Sequence, residues 1–377
     1  MSSYVVWANK GGIGKSTMTF QLACAAAHAN PNKRVFIFDL SPQCDVSRMV
    51  LGGGHFNGEE NILEIMQSTP RRTIQSYLLS CLNDVPSGHG WPDPEQFIIE
   101  PNQYRKDEAQ DLPENLRILC GDFDLERTIQ LIEQMPQPPR RTGRAPTGPH
   151  YSTYLLTRSF LKNAVVELER RYDCQIFIDT DPYFNVITTQ MGLVAAENWI
   201  TAYSPSSQAS QFAVLRSLEF MFEPDAGLTT FINDEAERFN QQWYDNRGHE
   251  LSAPNISVAA PHLLLSNMAN PYRKSGNQRY TDPQRLHLQT IQKMDELTRD
   301  EADEYDIGIF RHHEYMWDIR RLGLICDYNG IELLSLQLGH NYSEPGSNRA
   351  YHLSATGGTP LQLEGYQRKL REIAQCL

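Results

Sequence analysis

The residues best suited to chemistry stand together in Lys10-Gly11-Gly12-Ile13-Gly14-Lys15-Ser16-Thr17. Glycines remove Cβ clashes, so several backbone N–H groups can close on one anion. A lysine adds positive charge beside it, and the serine hydroxyl that follows suits Mg²⁺. The pattern points to a polyphosphate held by main-chain amides, with Lys15 near its outer phosphates and Ser16 on the metal. A glycine-rich turn can also be purely structural. A Gly-Lys-Ser ending between a strand and a helix favours the anion site, because the helix aims its orphan amides and dipole at the same charge. Four carboxylates, Asp39, Asp45, Asp179 and Asp181, are the remaining candidates for metal or water chemistry.

These groups need elements to position them. Residues 4–8 (YVVWA) are a short apolar run ending in the glycine loop. The alanine-rich stretch 18–29 has neither Gly nor Pro and predicts a helix. Residues 34–40 (RVFIFDL) predict a second strand, so the loop sits inside a βαβ unit whose strands are buried on both faces. Further strands are predicted at 117–120, 175–180, 199–203, 262–267 and 307–310, with helices at 154–171 and Gln208–Phe222 between some of them. This alternation predicts an α/β fold: a mostly parallel twisted sheet with helices on both faces. The whole chain, 1–377, is expected to form one domain. Two stretches read as surface insertions. Residues 83–113 carry seven carboxylates against two basic residues, and 136–149 has five prolines and three arginines.

Composition narrows the class. The 377 residues include 34 Lys+Arg and 46 Asp+Glu, a net charge of −12, with 40% hydrophobic and 21% charged residues. That is globular rather than disordered or fibrous. No apolar run reaches the ~20 residues of a membrane span, and the first residues do not read as a secretory signal, so a soluble cytoplasmic protein is expected. Seven cysteines without a CxxC pair predict reduced, buried thiols rather than disulfides or zinc.

The combination KGGIGKST, with Asn9 where a first glycine is usual, resembles the deviant P-loop of the ParA/MinD family of ATPases. Asp39-Leu40-Ser41-Pro42-Gln43 is similar to that family's DxDPQ segment, and residues 176–182 (IFIDTDP) to its Walker B strand and switch. Residues 265–268 (LSNM) are similar to the strand leading into its adenine pocket, and 365–377 to its final helix. Within the family the chain resembles ParA most, from the Pro-Gln pair and residues 118–129 (ILCGDFDLERTI). The resemblance implies ATP and Mg²⁺ as cofactors and an ATP-dependent homodimer. Gly11, Gly12, Ile13, Gly14, Lys15, Ser16, Thr17 and Asn267 would bind ATP. Asp179 would hold Mg²⁺ through a water, with Ser16 on the metal and Asp39 in its outer shell. Lys10 would be the signature lysine that reaches the partner's phosphates.

One position departs from the family pattern. The second Asp of DxDPQ, expected to orient the attacking water, is Ser41 here. A hydroxyl is a poor general base near neutral pH. Asp39, Asp45 or Asp181 could compensate, and strand alternation would set Asp39 and Ser41 on one side if the strand continued through both. Asp181 reads equally as a turn cap. The resemblance thus implies a slow ATPase, with Lys10, Lys15, Asp39 and Ser41 at the reaction, that positions or segregates DNA or other cargo. The alternative is an ATP-stabilised scaffold or effector with little hydrolysis.

Two further surfaces stay open. Basic residues Arg273, Lys274, Arg279 and Arg285, Arg311, Arg320 and Arg321 with His312 and His313, and the RRTGR run at 140–144 could meet DNA nonspecifically or simply be solvated. Leu363, Tyr366, Leu370, Ile373 and Leu377 form one apolar helix face, with Arg368, Lys369 and Arg371 off it. Packing on the sheet explains that face better than membrane binding.

Overall fold

Each predicted βαβ step adds a strand parallel to the last, and the result is one seven-stranded sheet. Its strands are β1 (Ser2–Val6), β2 (Arg34–Asp39), β3 (Leu116–Leu119), β4 (Cys174–Asp179), β5 (Asn198–Tyr203), β6 (Ala260–Ala269) and β7 (His312–Trp317). Their spatial order is β3-β2-β4-β1-β5-β6-β7, and every neighbouring pair is parallel. The computed structural model describes residues 2–105, 109–136, 149–184, 188–239, 242–252, 255–269, 283–347 and 349–377.

Period-two side chains divide between two cores. Tyr4, Val6, Ile37 and Phe177 face α1 (Lys15–Ala29) and, at the chain's end, the helix Thr359–Ala374. Val5, Trp7, Phe36 and Ile178 face the opposite way, onto Thr153–Arg171 and Thr188–Ala195. Helices on both faces leave the carboxyl ends of β1, β2 and β4 as the open side of the sheet. This is where parallel α/β sheets bind ligands.

Two expectations are corrected. Residues 307–310 are not strand. The edge strand is His312–Trp317, whose register runs Leu263↔His312 to Ala269↔Trp317 with a shift after Ser266. An edge strand needs no continuous apolar run, and HHEYMW has none. Part of the acidic stretch 83–113 is packed rather than a loose excursion. Ile99 and Ile118 exchange backbone hydrogen bonds of 2.9 and 3.1 Å, covering the outer edge of β3. Arg105 is buried, its guanidinium donating to the carbonyls of Val50 and Gly330 at 2.8 Å each. The cysteines are free, six of them buried. Among the described residues no helix is long and apolar enough to cross a membrane.

Candidate functional site

The glycine loop leaves β1 where Trp7 is still tied to β5, its N–H donating to the carbonyl of Ile200 at 3.0 Å. Gly12 and Gly14 have φ of 72° and 82°, a region where an L side chain is strained. A Cβ at Gly11 or Gly12 would meet nothing within 4 Å, so that side of the loop is open. Ile13 does the reverse, burying its side chain in the core and anchoring the loop from below. Its carbonyl accepts from the Asn267 amide at 2.7 Å. Asn267, predicted to bind nucleotide, thus also braces the loop.

α1 starts directly after Gly14, with no side-chain cap and no acid in its first turn. Its first amides are therefore free of internal competition for an anion. Lys15 is buried and folds back, its ammonium donating to the carbonyl of Lys10 at 3.0 Å. Burial pushes its pKa down, while Asp179 and Asp181 pull it up.

Two carboxylates end adjacent strands. The register pairs Asp39 with Asp179 across β2 and β4, and Val6 with Asp179 across β1 and β4. Both are fully buried. Burial raises the pKa of each, and the charge of Asp39 raises Asp179 further. The Thr19 hydroxyl donates to Asp179 Oδ1 at 3.0 Å, but Oδ2 is buried with no hydrogen-bond partner. An orphaned carboxylate oxygen in a pocket of surplus negative charge fits a hard divalent cation. The Ser16 side chain opposes the rise in the Asp179 pKa.

Asp39 itself does not reach toward the loop. Oδ1 accepts from the Ser41 amide at 3.0 Å, and Oδ2 from the Ser47 amide at 3.0 Å and its hydroxyl at 2.6 Å. It ties down the turn leading into α2 (Asp45–Val50). β2 ends at Asp39, so strand alternation never extends to Ser41. The Ser41 hydroxyl instead donates to Asp181 Oδ1 at 3.0 Å and accepts from the Gln43 amide at 3.3 Å. Asp45 pairs with Arg48 at 2.8 Å on the first turn of α2.

A cavity of about 480 Å³ opens between the loop and the C-terminal third of the chain, with Gly12, Gly14, Thr17 and Asn267 on its wall. Met18, Met268, Met316 and Leu324 give it an apolar lining. Its acidic edge includes Asp327, on the helix Arg320–Asn329, which accepts from the Thr17 hydroxyl at 2.9 Å. Burial pushes Asp327 up to about 6. Nothing in its local sequence marks this residue; only the fold brings it to Thr17.

A family model described as an AAA domain, AAA_31, matches residues 1–216 of the 377. The chain belongs to the AAA_31 family. Solved structures similar to this AAA_31 protein include apo McdA of Cyanothece, 14% identical with a TM-score of 0.53, covering 100% of this chain and 98% of that one. A Cyanothece McdA variant in complex with ATP is 14% identical at a TM-score of 0.52, covering 100% and 95%. The ParA of pNOB8 is 14% identical at 0.52, covering 100% and 96%. These likenesses are of fold, and the fold is the one the McdA and ParA structures share. Nitrogenase iron protein 1 of Methanobacterium ivanovii is 54% identical over 44 residues, 12% of this chain. That match spans 16% of the relative's own length.

The other surfaces of the AAA_31 chain separate clearly. Leu363, Tyr366, Leu370 and Ile373 are buried in the core and Leu377 packs against it, so this apolar face covers the sheet. Lys369, expected off that face, is buried and donates to Glu314 at 2.7 Å. Arg321 pairs with Glu344 at 2.6 Å. His313 lies 3.0 Å from the Tyr203 hydroxyl. Arg273, Lys274, Arg279 and the 140–144 run lie outside the described residues.

Proposed function

We propose that this AAA_31 protein binds Mg·ATP on the loop 10–17 and hydrolyses it slowly, nucleotide state setting the association of two copies. The observation carrying this reading is the convergence of three features at the carboxyl end of the sheet. They are an open glycine loop, an uncapped helix N-terminus, and an Asp179 oxygen left buried without a partner. The amides of residues 11–17 and the Lys15 ammonium would hold the phosphates, and the cavity beside Asn267 would take the base. Ser16 would hold Mg²⁺ directly and Asp179 through a water. Bound there, the metal neutralises phosphate charge. Lys10 would serve the phosphates of a second copy, where a further cation spreads the charge developing on the transferred group.

Positioning or segregating DNA or other cargo is the role that likeness to ParA and McdA supports. The test is ATP binding and phosphate release by wild type and Lys15→Ala, with and without DNA, at millimolar Mg²⁺. Binding lost in Lys15→Ala is the expected result; no binding by folded wild type overturns the reading. Mass measured with ADP, ATP and a non-hydrolysable analogue, for wild type and Lys10→Ala, tests dimerisation. A second reading, an ATP-stabilised scaffold without turnover, is favoured by Ser41 alone. It predicts binding with no phosphate release above the Lys15→Ala background.

A further inference from the structure

The chain lacks an aspartate at position 41, yet a carboxylate meets that side chain from another strand end. Ser41 Oγ donates to Asp181 Oδ1 at 3.0 Å, and the Gln43 N–H donates to Ser41 Oγ at 3.3 Å. The chain of donors runs one way: backbone amide, hydroxyl, carboxylate. Among the described residues, Ser41 is the one hydrogen-bond donor to Asp181. Asp181 stands just past the end of β4, and the Thr180 hydroxyl before it donates at 3.1 Å to the carbonyl of Val6, the strand end that leads into the glycine loop. Asp39 is spent on Ser41 and Ser47, and Asp45 on Arg48. Of the three acids that could replace the missing one, two are committed elsewhere.

We propose that Asp181 is the catalytic carboxylate of this ATPase and that Ser41 is its positioning residue. This rests on the ATP-binding reading above. In the reaction a water oxygen bonds to the γ-phosphorus as the bond to the β–γ bridging oxygen breaks, and ADP leaves. The Asp181 carboxylate accepts a hydrogen bond from that water and aligns it, and the water's proton ends on the inorganic phosphate. The role is orientation and polarisation, which needs a fixed acceptor. Ser41 supplies the fixing by occupying Oδ1 while Gln43 holds the hydroxyl in turn. The carboxylate has moved from one loop to its neighbour, and the serine remains as its support.

The experiment compares wild type, Asp181→Asn, Ser41→Ala and the swap variant Ser41→Asp/Asp181→Ser. Equilibrium binding of a fluorescent ATP analogue with Mg²⁺ and single-turnover phosphate release are both measured. Asp181→Asn should bind the analogue within about threefold of wild type and slow release by about a hundredfold. Ser41→Ala should keep binding and slow release by about tenfold, because the carboxylate remains but is no longer held. The swap variant returns an acid to position 41 and should release phosphate at least about tenfold faster than Asp181→Asn. Asp181→Asn turning over at the wild-type rate overturns the proposal, as does a folded swap variant no faster than Asp181→Asn. Wild type that binds the analogue but releases no phosphate above Lys15→Ala overturns the Asp181 role and leaves the ATP site standing. Absence of binding by wild type overturns both.

Discussion

Asp327 offers a test that reads the site through stability rather than turnover. Its carboxyl accepts from Thr17 at 2.9 Å beside the cavity, and burial moves its pKa from the ordinary 3.8 to about 6, Thr17 and Arg48 opposing the rise. A folded pKa above the unfolded one means that the native state binds more protons between the two values. Unfolding free energy therefore falls as pH rises from about 4 to about 6 and stays low above that. With ~1.4 kcal/mol per pKa unit, a shift of roughly two units costs the ionised native state up to about 3 kcal/mol. Asn has nearly the same shape, keeps an oxygen for the Thr17 hydroxyl and carries no charge. Asp327→Asn should thus be near neutral at pH 4 and stabilising by about 1–3 kcal/mol at pH 8. Urea denaturation midpoints at pH 4.5, 6 and 8 measure the difference. A variant whose stability difference from wild type is the same at all three pH values refutes the reasoning. So does one destabilised at pH 8.

Three further substitutions address the loop, the core and the packed insertion. Gly14→Ala forces a Cβ to 3.1 Å from the Asn267 amide at φ of 82°, and should cost about 1–2 kcal/mol in thermal or urea unfolding and weaken ATP-analogue binding. Phe177→Ala empties a fully buried site on β4, and about 3–5 kcal/mol should be lost in the same unfolding assay with the analogue still bound by folded protein. Arg105→Ala orphans the carbonyls of Val50 and Gly330 and should cost about 2–4 kcal/mol, with Arg105→Lys recovering less than half, since one ammonium cannot span both.

The strands best legible from sequence are those buried on both faces. β1, β2, β4 and β5 fall within two residues of their apolar runs at both ends, because every side chain there meets a helix layer and is selected apolar. The helix Gln208–Phe222 likewise matches its predicted bounds. β7 failed for the opposite reason. At the sheet's edge His312, His313 and Glu314 are tolerated, while 307–310 is irregular chain from which Ile307 and Phe310 pack against the core and Ile309 is exposed. The acidic composition of 83–113 concealed Ile99 and Arg105, since a few buried residues suffice to seal β3 and are diluted by solvated neighbours.

At the site, the loop could be read because its chemistry is local: eight consecutive residues contain the glycines, the lysines and the hydroxyl. The acid–hydroxyl relations could not, because Ser41 and Asp181 are 140 residues apart and Thr17 and Asp327 310 apart. Strand periodicity misled for a specific reason. β2 ends at Asp39, and the three hydrogen bonds that Asp39 accepts pull the chain out of the strand and turn it toward α2. That turn is what carries the Ser41 hydroxyl to Asp181 instead of leaving it parallel to Asp39. With Asp181 aligning the water as proposed, Asp39 would act on the reaction through geometry. Its loss would release Ser41 and, with it, the alignment of Asp181. An Asp39→Ala chain should then lose turnover even with Asp181 intact, whereas a direct water-orienting role for Asp39 would make Asp181 dispensable.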